Sequence, residues 1–342
     1  MKGFAAVDLF CGAGGMTHGF LQGGMRVVAG VDIDPSCRFP LEANNLGTRF
    51  VEQSIETLTA GELAGLYPRG VVRVLVGCAP CQPFSKYALR DGPDERWLLL
   101  YEFLRLVRGV RPEVVSMENV PELKTQAHPA YCDFVAGLEQ LGYQVWDDVV
   151  RCADYGVPQA RRRLVLIAGA SGHGIQLVPA THARALTVRD AIGHLPPIEA
   201  GGGSPPYDVI HMASRLSPTN RERIRATPEG GSWRDWPASL RSPCHVRDSG
   251  RYYGSVYGRM TWDRPAPTIT TQCHGYGNGR FGHPEQDRAI SLREAALLQT
   301  FPPGYTFVAP GERPAFRQVG RHIGNAVPVA LAKAIATSIT EA

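Results

Sequence analysis

The sequence predicts an α/β protein whose sheet is parallel or mostly parallel and covered by helices on both faces, together with a smaller irregular region. Short apolar, β-branched runs recur through the first half of the chain, and helix-like stretches lie between several of them. After Gly169 the sequence instead becomes rich in Gly, Pro and Ser, without a sustained period. Strands that alternate with helices are typical of a parallel sheet, whose ligand lies beyond the carboxyl ends of the strands.

The apolar runs give the order of the predicted elements. They cover residues 5–10, 26–32, 71–77, 113–119, 144–150 and 163–169. Residues 97–110 predict a helix, because Leu99, Phe103 and Leu106 fall on one of its faces. A further ordered segment is expected at 291–301, and the apolar spacing from Val327 to Ile339 predicts a C-terminal helix that packs back on the first domain.

Composition narrows the class of protein. The chain has 342 residues, a formal net charge of +4 and 8 cysteines without the spacing of a disulfide scaffold. No apolar run is long enough to cross a bilayer, and the N-terminus has no cleavable apolar segment, so we expect a cytoplasmic protein. The positive charge is nearly all arginine, which suits contacts with phosphate and guanine, although a GC-rich genome produces the same bias.

The ends of the first two predicted strands favour a nucleoside cofactor. The first ends in DLFCGAGG, and glycines at such a turn let a ligand approach the backbone closely. The second ends at Asp32, where a carboxylate can accept both hydroxyls of a ribose. Glycine-rich turns are more often simply turns, and the spacing lacks the full G-x-G-x-x-G pattern, which counts against a nicotinamide enzyme.

Two cysteines, Cys78 and Cys81, follow the strand 71–77. A redox pair of this spacing belongs at the start of a helix, whereas here Pro80 and Pro83 surround Cys81. Zinc would need a second pair of ligands at close spacing, and none is evident, so we expect no metal. We therefore interpret Cys81 as a reactive thiol and Cys78 as a buried small apolar residue.

A carboxyl group and two arginines complete the constellation. Glu118 ends the next strand and is expected to face the same crevice as the thiol, and Arg161 and Arg163 alternate at the start of a further strand. Singly, such a glutamate is usually solvated and such an arginine run is usually a surface patch. A nucleophile, a carboxyl that can be protonated and a paired arginine together suit attack on an electron-poor ring.

The chain resembles the bacterial type of the cytosine carbon-5 DNA methyltransferase family. The resemblance is carried, in sequence order, by DLFCGAGG, VDID, PCQPFS, MENV, DYGVPQARRR, REAALLQTFP and IGNAVP. It implies a Rossmann-like, S-adenosylmethionine-dependent methyltransferase sheet in a catalytic and cofactor-binding domain at 1–169. It further implies a target-recognition region at 170–262 and a return segment at 263–342, whose C-terminal helix completes the catalytic domain.

The resemblance also implies the reaction, in which a methyl group passes from S-adenosylmethionine to carbon 5 of a cytosine flipped out of a specific duplex sequence. Cys81 attacks carbon 6 of the ring and later departs. Glu118 meets ring nitrogen 3 and the exocyclic amine, and Arg163, with Arg161 in the same catalytic set, reaches the carbonyl oxygen. The substrate-binding residues are Pro80, Ser85, Asn119, Val120 and Arg96, and residues 86–96, with Lys86 and Arg90, resemble a loop that closes over DNA.

By the same resemblance, Phe10 stacks on the adenine of the cofactor, Asp32 binds its ribose and Ile33 lies against the base. The remaining cofactor-binding residues are Gly12, Gly15, Ser54, Ile55, Leu99, Asn325, Ala326 and Val327. Ser54-Ile55 departs from the family, which commonly has an Asp-Ile pair that reads the adenine amine.

Three alternatives stay open. The first is a tRNA cytosine methyltransferase, but the Cys-Phe-Thr signature of that branch is absent because His274 follows Cys273. The second is a catalytically silent DNA-binding relative, and a nicotinamide enzyme is a distant third. The expected partners are double-stranded DNA and a cognate restriction endonuclease, with a monomeric, nucleoid-associated protein and no membrane. Base reading, phosphate contact and packing are open for Trp233, Trp236, Arg241, Arg247, Arg251 and Tyr252, with packing favoured for the tryptophans.

Overall fold

The computed structural model describes residues 3–80, 95–170, 174–203, 208–250 and 253–342, and the chain divides into two compact units. Unit 1 comprises Met1–Tyr155, Arg162–Thr181 and Val327–Ala342, and unit 2 comprises Gly156–Arg161 and His182–Ala326. Residues 263–326, which the sequence analysis assigned to the return segment, thus belong to unit 2, whereas the C-terminal helix belongs to unit 1.

Unit 1 is built on a seven-stranded sheet with the strand order β3-β2-β1-β4-β5-β7-β6. The strands are β1 (Phe4–Leu9), β2 (Arg26–Asp32), β3 (Arg49–Glu52), β4 (Val72–Gly77), β5 (Val114–Asn119), β6 (Tyr143–Arg151) and β7 (Arg162–Ala170). The strands β1 to β5 pair in parallel, so the predicted α/β class with a mostly parallel sheet is confirmed. The strand β3 was not predicted from the sequence, because four residues are too few to show a period.

Among the described strands, β7 runs against the other six. The strand β7 inserts between β5 and β6 and pairs antiparallel with both. Residues 152–161, which connect β6 to β7, are too few for the helical crossover that a parallel return needs. As a result the amino end of β7 lies beside the carboxyl end of β5, where Asn119 pairs with Leu164.

Helices cover the sheet and make up most of the regular structure of unit 2. They are α1 (Gly15–Gln22), α2 (Arg38–Asn44), α3 (Ala60–Gly65), α4 (Leu99–Val110), α5 (Glu122–Thr125), α6 (Pro129–Gln140), α7 (Val188–Ile192), α8 (Pro218–Arg225), α9 (Pro243–Val246), α10 (Leu292–Leu298), α11 (Phe316–Asn325) and α12 (Val329–Thr340). In unit 1, α1 packs on α12, and α4 packs on α3 and α6. Every residue of β5 is buried, which requires cover on both faces of the sheet.

The contact between α1 and α12 depends on a glycine. A Cβ atom added at Gly19 would lie 2.4 Å from the Cβ of Ala332 and 2.5 Å from the carbonyl oxygen of Val329. Only a residue without a side chain lets the two helix backbones approach this closely.

The predicted C-terminal helix is interrupted near its start. The helix α11 ends at Asn325, and α12 begins only after Pro328, whose missing N–H suits the start of a helix. The segment Phe316–Thr340 is long and apolar enough, by length and composition, to cross a membrane, which the sequence analysis did not expect. It consists of these two helices, and 61% of its apolar window is buried inside the protein, as in a core helix.

Unit 2 is held together largely by buried arginines. Among its described residues, strand pairing is limited to three isolated bridges, so many backbone carbonyls need other partners. Arg259, which is 4% exposed, donates hydrogen bonds to the carbonyl oxygens of Ile224, Thr227, His283 and Gln286. A guanidinium suits this role because it carries five N–H donors in a rigid plane.

Candidate active site

Three side chains meet in unit 1 at the ends of β4, β5 and β7. Glu118, near the end of β5, is only 2% exposed. Its Oε1 atom lies 3.0 Å from Nε of Arg163, and its Oε2 atom accepts a hydrogen bond from Sγ of Cys78 at 3.0 Å. Arg163 reaches Glu118 because β7 is antiparallel to β5. A cation and a weak donor thus face the two oxygens of a buried carboxylate, which would be costly to bury alone.

The position of Cys78 differs from the sequence interpretation. We expected a buried small apolar residue, whereas the thiol is half-buried and donates to Glu118. Cys78 directly follows β4, and its amide donates to the carbonyl oxygen of Leu9 at 3.4 Å. The C-x-x-C spacing carries no information on the direction of this thiol, so no signal in the sequence revealed the contact.

Asn119 ties the chain after β4 to the end of β5. Its side chain is buried, and its Nδ2 atom donates to the carbonyl oxygen of Ala79 at 3.1 Å. Its Oδ1 atom accepts a hydrogen bond from the amide of Val120 at 2.8 Å. Val120 and Pro80 are half-buried. Asn119 therefore fixes the backbone that leads into the segment of Cys81.

The other predicted catalytic and substrate-binding residues are placed differently. Cys81 and Ser85, with Lys86 and Arg90, lie outside the described residues, as does the side chain of Arg96. Arg161 belongs to unit 2 and is 3% exposed. Its guanidinium donates to the carbonyl oxygens of Ile269 and Ala326. These contacts fasten loop backbone, which is a structural role that the sequence analysis did not foresee.

The glycine-rich turn after β1 is anchored by Asp32. The amide of Gly12 donates to Oδ2 of Asp32 at 2.9 Å, and the amide of Asp34 donates to Oδ1 at 2.9 Å. Phe10 and Gly12 both have positive φ angles, 58° and 50°, and such strain in a residue other than glycine is concentrated at functional sites. A Cβ atom added at Gly12 would meet nothing within 4 Å, so open space lies in front of this backbone.

Buried acids lie beneath this turn. Burial and the nearby charge of Asp32 raise the pKa of Asp8 to about 7, against the hydrogen bond that its Oδ2 atom accepts from Thr17 at 2.7 Å. Burial also raises the pKa of Asp32, although hydrogen bonds from backbone amides oppose the shift. Burial and the charges of Asp8 and Asp32 raise the pKa of the Cys11 thiol, which disfavours its thiolate form.

The predicted base-binding positions cluster after β2 and β3. Ile33 directly follows β2 and is 70% exposed, which leaves an apolar side chain available to a ligand. Ser54 and Ile55 follow β3, and the amide of Gln53 donates to the carbonyl oxygen of Asp32 at 3.1 Å. Ile55 belongs to the core of unit 1, and Leu99 packs against that core. The hydroxyl of Ser54 donates to Oε2 of Glu56 at 3.0 Å.

A glutamine network joins three of the sequence blocks within unit 2. Nε2 of Gln159 donates to Oε1 of Gln299 at 2.7 Å, and Nε2 of Gln299 donates to the carbonyl oxygens of Ile323 and Ala326. Both glutamines are fully buried. Asn325 is exposed, whereas Ala326 and Val327 are buried. Neither glutamine was among the residues predicted from the sequence, although a glutamine inside each of two such blocks was the available signal.

Comparison with known proteins identifies the family. A model of the C-5 cytosine-specific DNA methylase family matches residues 4–341. The chain belongs to this family. Over 338 residues it is 54% identical to the Type II methylase M.HgiDII of Herpetosiphon aurantiacus, with 98% of this chain and 94% of that protein covered. It is 34% identical over 338 residues to the Type II methyltransferase M1.HphI of Haemophilus parahaemolyticus, with 97% and 86% covered.

Solved structures share the fold. A prophage-encoded protein of E. coli superposes with a TM-score of 0.77 at 22% identity, and the match covers 99% of both chains. The Dnmt2 methyltransferase of S. pombe gives a TM-score of 0.64 at 15% identity, again over 99% of both chains. The Rossmann-like methyltransferase sheet is therefore confirmed.

The protein is a DNA (cytosine-5-)-methyltransferase. In this family carbon 5 of a flipped-out cytosine is methylated through a covalent cysteine adduct, and methyltransferases of this kind generally use S-adenosylmethionine as the methyl donor.

Both tryptophans that the sequence analysis left open are packed inside unit 2 of the methyltransferase. Trp233 and Trp236 are 5% and 1% exposed, and both lie in an apolar cluster with Tyr276. Nε1 of Trp236 donates to Oγ1 of Thr227 at 2.7 Å. Arg241 donates to the carbonyl oxygen of Trp236 at 3.0 Å. Arg247 is exposed, and Arg251 and Tyr252 lie outside the described residues.

Proposed function

We propose that this methyltransferase acts on one cytosine in a short, specific sequence of duplex DNA, with Cys81, Glu118 and Arg163 as its catalytic residues. The observation that carries the proposal is the pairing of buried Glu118 with Arg163 at the strand ends. In the sequence, Cys81 lies three residues after Cys78, the residue that directly follows β4. A buried, paired carboxyl group at such a crevice suits a polar, uncharged ring as its partner.

Cys81 is the proposed nucleophile. Its thiolate adds to carbon 6 of cytosine, the ring becomes an enamine, and carbon 5 becomes the site that takes the methyl group. A base then removes the proton of carbon 5, and the bond from Cys81 to carbon 6 breaks. A free cysteine has a pKa of about 8.5, so only a few per cent is thiolate at neutral pH and a nearby cation helps.

Glu118 is the proposed partner of the ring during attack. Its Oε1 atom is buried and, within the described part of the chain, accepts no hydrogen bond, although Nε of Arg163 lies 3.0 Å away. In the proposed step the carboxyl group of Glu118 carries the proton that ring nitrogen 3 gains, and its other oxygen accepts a hydrogen bond from the exocyclic amine. Donors aimed at charge that develops in the transition state supply much of the rate gain of an enzyme. Arg163, which lies 3.0 Å from Glu118, is the proposed partner of the carbonyl oxygen of the ring.

The residues after β1 and β2 fit S-adenosylmethionine, which supplies an electrophilic methyl group. Each carboxylate oxygen of Asp32 accepts one backbone hydrogen bond and keeps a second lone pair for a ribose hydroxyl. Gly12, with open space before it, and Gly15 can border the methionine part, and Phe10 and Ile33 can enclose the adenine. Ser54, Ile55 and Leu99, with Asn325, Ala326 and Val327, complete the proposed cofactor set.

The proposed setting is a bacterial restriction-modification system, since the relatives named above are Type II methylases. A monomer in the cytoplasm, associated with the nucleoid and accompanied by a cognate endonuclease, accords with it. Unit 2 is proposed to read the DNA sequence, and Ser85, Arg96, Pro80, Asn119 and Val120 to contact the flipped nucleotide. Methylation-sensitive sequencing of DNA from a host that expresses the protein would identify the sequence.

Covalent trapping tests the assignment of the catalytic residues. With duplex DNA that contains 5-fluorocytosine and with S-adenosylmethionine, the wild-type protein should form an adduct that survives denaturing electrophoresis, because fluorine cannot leave carbon 5 as a proton does. Cys81→Ala should abolish the adduct and still bind DNA. Glu118→Gln should slow adduct formation by about 100-fold, as does loss of a transition-state hydrogen bond.

The matched control is Cys132→Ala, which removes an exposed thiol on α6 and should trap at the wild-type rate. An adduct with Cys81→Ala would overturn the assignment of the nucleophile. Methylation of tRNA in place of DNA, measured with labelled cofactor, would favour the RNA alternative instead.

A further inference from the structure

Glu118 is held asymmetrically. Nε of Arg163 lies 3.0 Å from its Oε1 atom, and Nη1 of Arg163 donates to the carbonyl oxygen of Arg162 at 2.7 Å. The other oxygen, Oε2, accepts from Cys78. An arginine and a carboxylate that meet without other restraints prefer two parallel hydrogen bonds. Nη1 is not needed for a side-on pair through Nε and Nη2, so it is the bond from the Cys78 thiol to Oε2 that opposes a flat, bidentate pair.

We infer that Cys78 is a positioning residue for methyl transfer, whose thiol keeps Glu118 turned toward the flipped cytosine and away from bidentate pairing with Arg163. The inference rests on the proposed role of Glu118. The groups that face this carboxyl within the described residues are Cys78 from the end of β4 and Arg163 from β7. Cys81 lies outside the described residues.

The thiol leaves one oxygen of Glu118 for the ring. Its S–H group holds Oε2 with a weak hydrogen bond, whereas Oε1 accepts none within the described residues. A hydroxyl at the same position would keep the hydrogen bond, whereas a methyl group would lose it. Serine and alanine variants therefore separate hydrogen bonding from packing.

The test measures single-turnover methyl transfer from labelled S-adenosylmethionine to unmethylated phage DNA. Cys78→Ala should lower the rate constant about tenfold, the equivalent of one hydrogen bond to a charged group. Cys78→Ser should restore the rate to within about threefold of wild type. The KM values for DNA and for S-adenosylmethionine should stay unchanged in both variants. Cys132→Ala and Cys132→Ser, on the exposed face of α6, serve as matched controls and should react at the wild-type rate.

The relative methyl-transfer rates of Cys78→Ala and Cys78→Ser decide the outcome. A role in packing alone predicts that serine is as harmful as alanine or worse, because its hydroxyl needs a partner that a packing role does not provide. That order, or a wild-type rate for Cys78→Ala, would overturn the inference. Glu118→Gln separates this failure from that of the proposed function. A wild-type rate in Glu118→Gln removes the role of Glu118 itself, whereas an inactive Glu118→Gln beside a fully active Cys78→Ala removes only the role of Cys78.

Discussion

At the scale of the residue, buried acids and thiols at the strand ends have different tasks. Glu118 is buried with a cation and a donor beside it, whereas Asp8 is buried near a second acid, Asp32. The first arrangement places a cation and a donor beside the two oxygens of the carboxyl group. The second penalises the ionised form of Asp8, because burial and the charge of Asp32 both favour the proton.

Asp8 should make the stability of the fold depend on pH. The pKa of Asp8 is raised from 3.8 to about 7 in the folded protein. The contribution of Asp8 to the free energy of unfolding is therefore fully present below pH 4 and is lost as the pH rises to about 7. Asp8→Asn keeps an oxygen for Thr17 and removes this loss. The variant should gain stability relative to wild type between pH 4 and pH 8, by at most about 4 kcal/mol. Urea unfolding of both proteins at each pH measures the difference, and a difference that is constant with pH would contradict the prediction.

Sequence reasoning reached Glu118 and Arg163 but not Cys78. Glu118 ends an apolar run, and strand ends meet at one edge of a sheet, so its neighbourhood could be predicted. Arg163 was expected near Glu118, and it lies there although β7 is antiparallel to β5. The reason is that the amino end of an antiparallel strand lies at the same edge of the sheet as the carboxyl end of its neighbour. The direction of the Cys78 thiol depends on packing after β4, which no local pattern encodes. Arg161 shares the spacing of Arg163 yet lies in unit 2.

At the scale of the element, close approach of helices replaces large apolar side chains between α1 and α12. Gly19 and Gly23 face Ala332 and Ala336, where an added Cβ atom would lie 2.4 Å and 2.6 Å from the alanine Cβ atoms. The spacing of the C-terminal helix could be read from its apolar residues. Its start at Val329 could be read only from Pro328 and not from the period.

Gly19→Ala should therefore destabilise unit 1, because its Cβ atom would overlap the backbone of α12 as well as Ala332. We expect a loss of about 1–3 kcal/mol or more in the free energy of unfolding, as for overpacking of a core. Gly61→Ala in α3 is the matched control. Its Cβ atom would meet nothing within 4 Å, so stability should stay unchanged or rise by less than about 1 kcal/mol. Equal effects of the two substitutions, measured by chemical denaturation, would contradict the role of Gly19.

At the scale of the whole molecule, arginine serves two purposes that composition cannot separate. The abundance of arginine in the sequence is explained equally by contacts with DNA and by a GC-rich genome. Several instead support unit 2 from within: Arg161, Arg259, Arg288 and Arg293 are each at most 6% exposed. A unit with little regular structure leaves carbonyl oxygens unpaired, and buried guanidinium groups bind them. Overall charge therefore overstates the basic surface that is available to DNA.

The pair of Arg288 and Glu294 should be essential to unit 2. Two hydrogen bonds of 2.7 Å join these side chains, which are 0% and 1% exposed. Burial raises the pKa of Glu294, but Arg288 outweighs it and lowers the pKa below its usual value. The stabilisation is thus present above the ordinary carboxyl range and is lost as the pH falls through the lowered pKa.

Glu294→Gln should leave Arg288 buried without its counter-charge and cost about 3–5 kcal/mol. Glu52→Gln is the control, because the pair of Arg38 and Glu52 is 48% exposed on each side and should contribute less than about 1 kcal/mol. Thermal and urea unfolding at pH 7 would measure both. A small effect of Glu294→Gln would mean that another group neutralises Arg288.

The contact of Gly19 with α12 has a consequence for biosynthesis. A ribosome delivers α1 early and α12 near the end of the chain, with unit 2 emerging in between. Until α12 has been synthesised, the face of α1 that packs on it stays uncovered. A nascent chain that stalls inside unit 2 therefore presents apolar surface to chaperones and proteases. Quality control during translation is thereby expected to favour molecules in which unit 2 is complete.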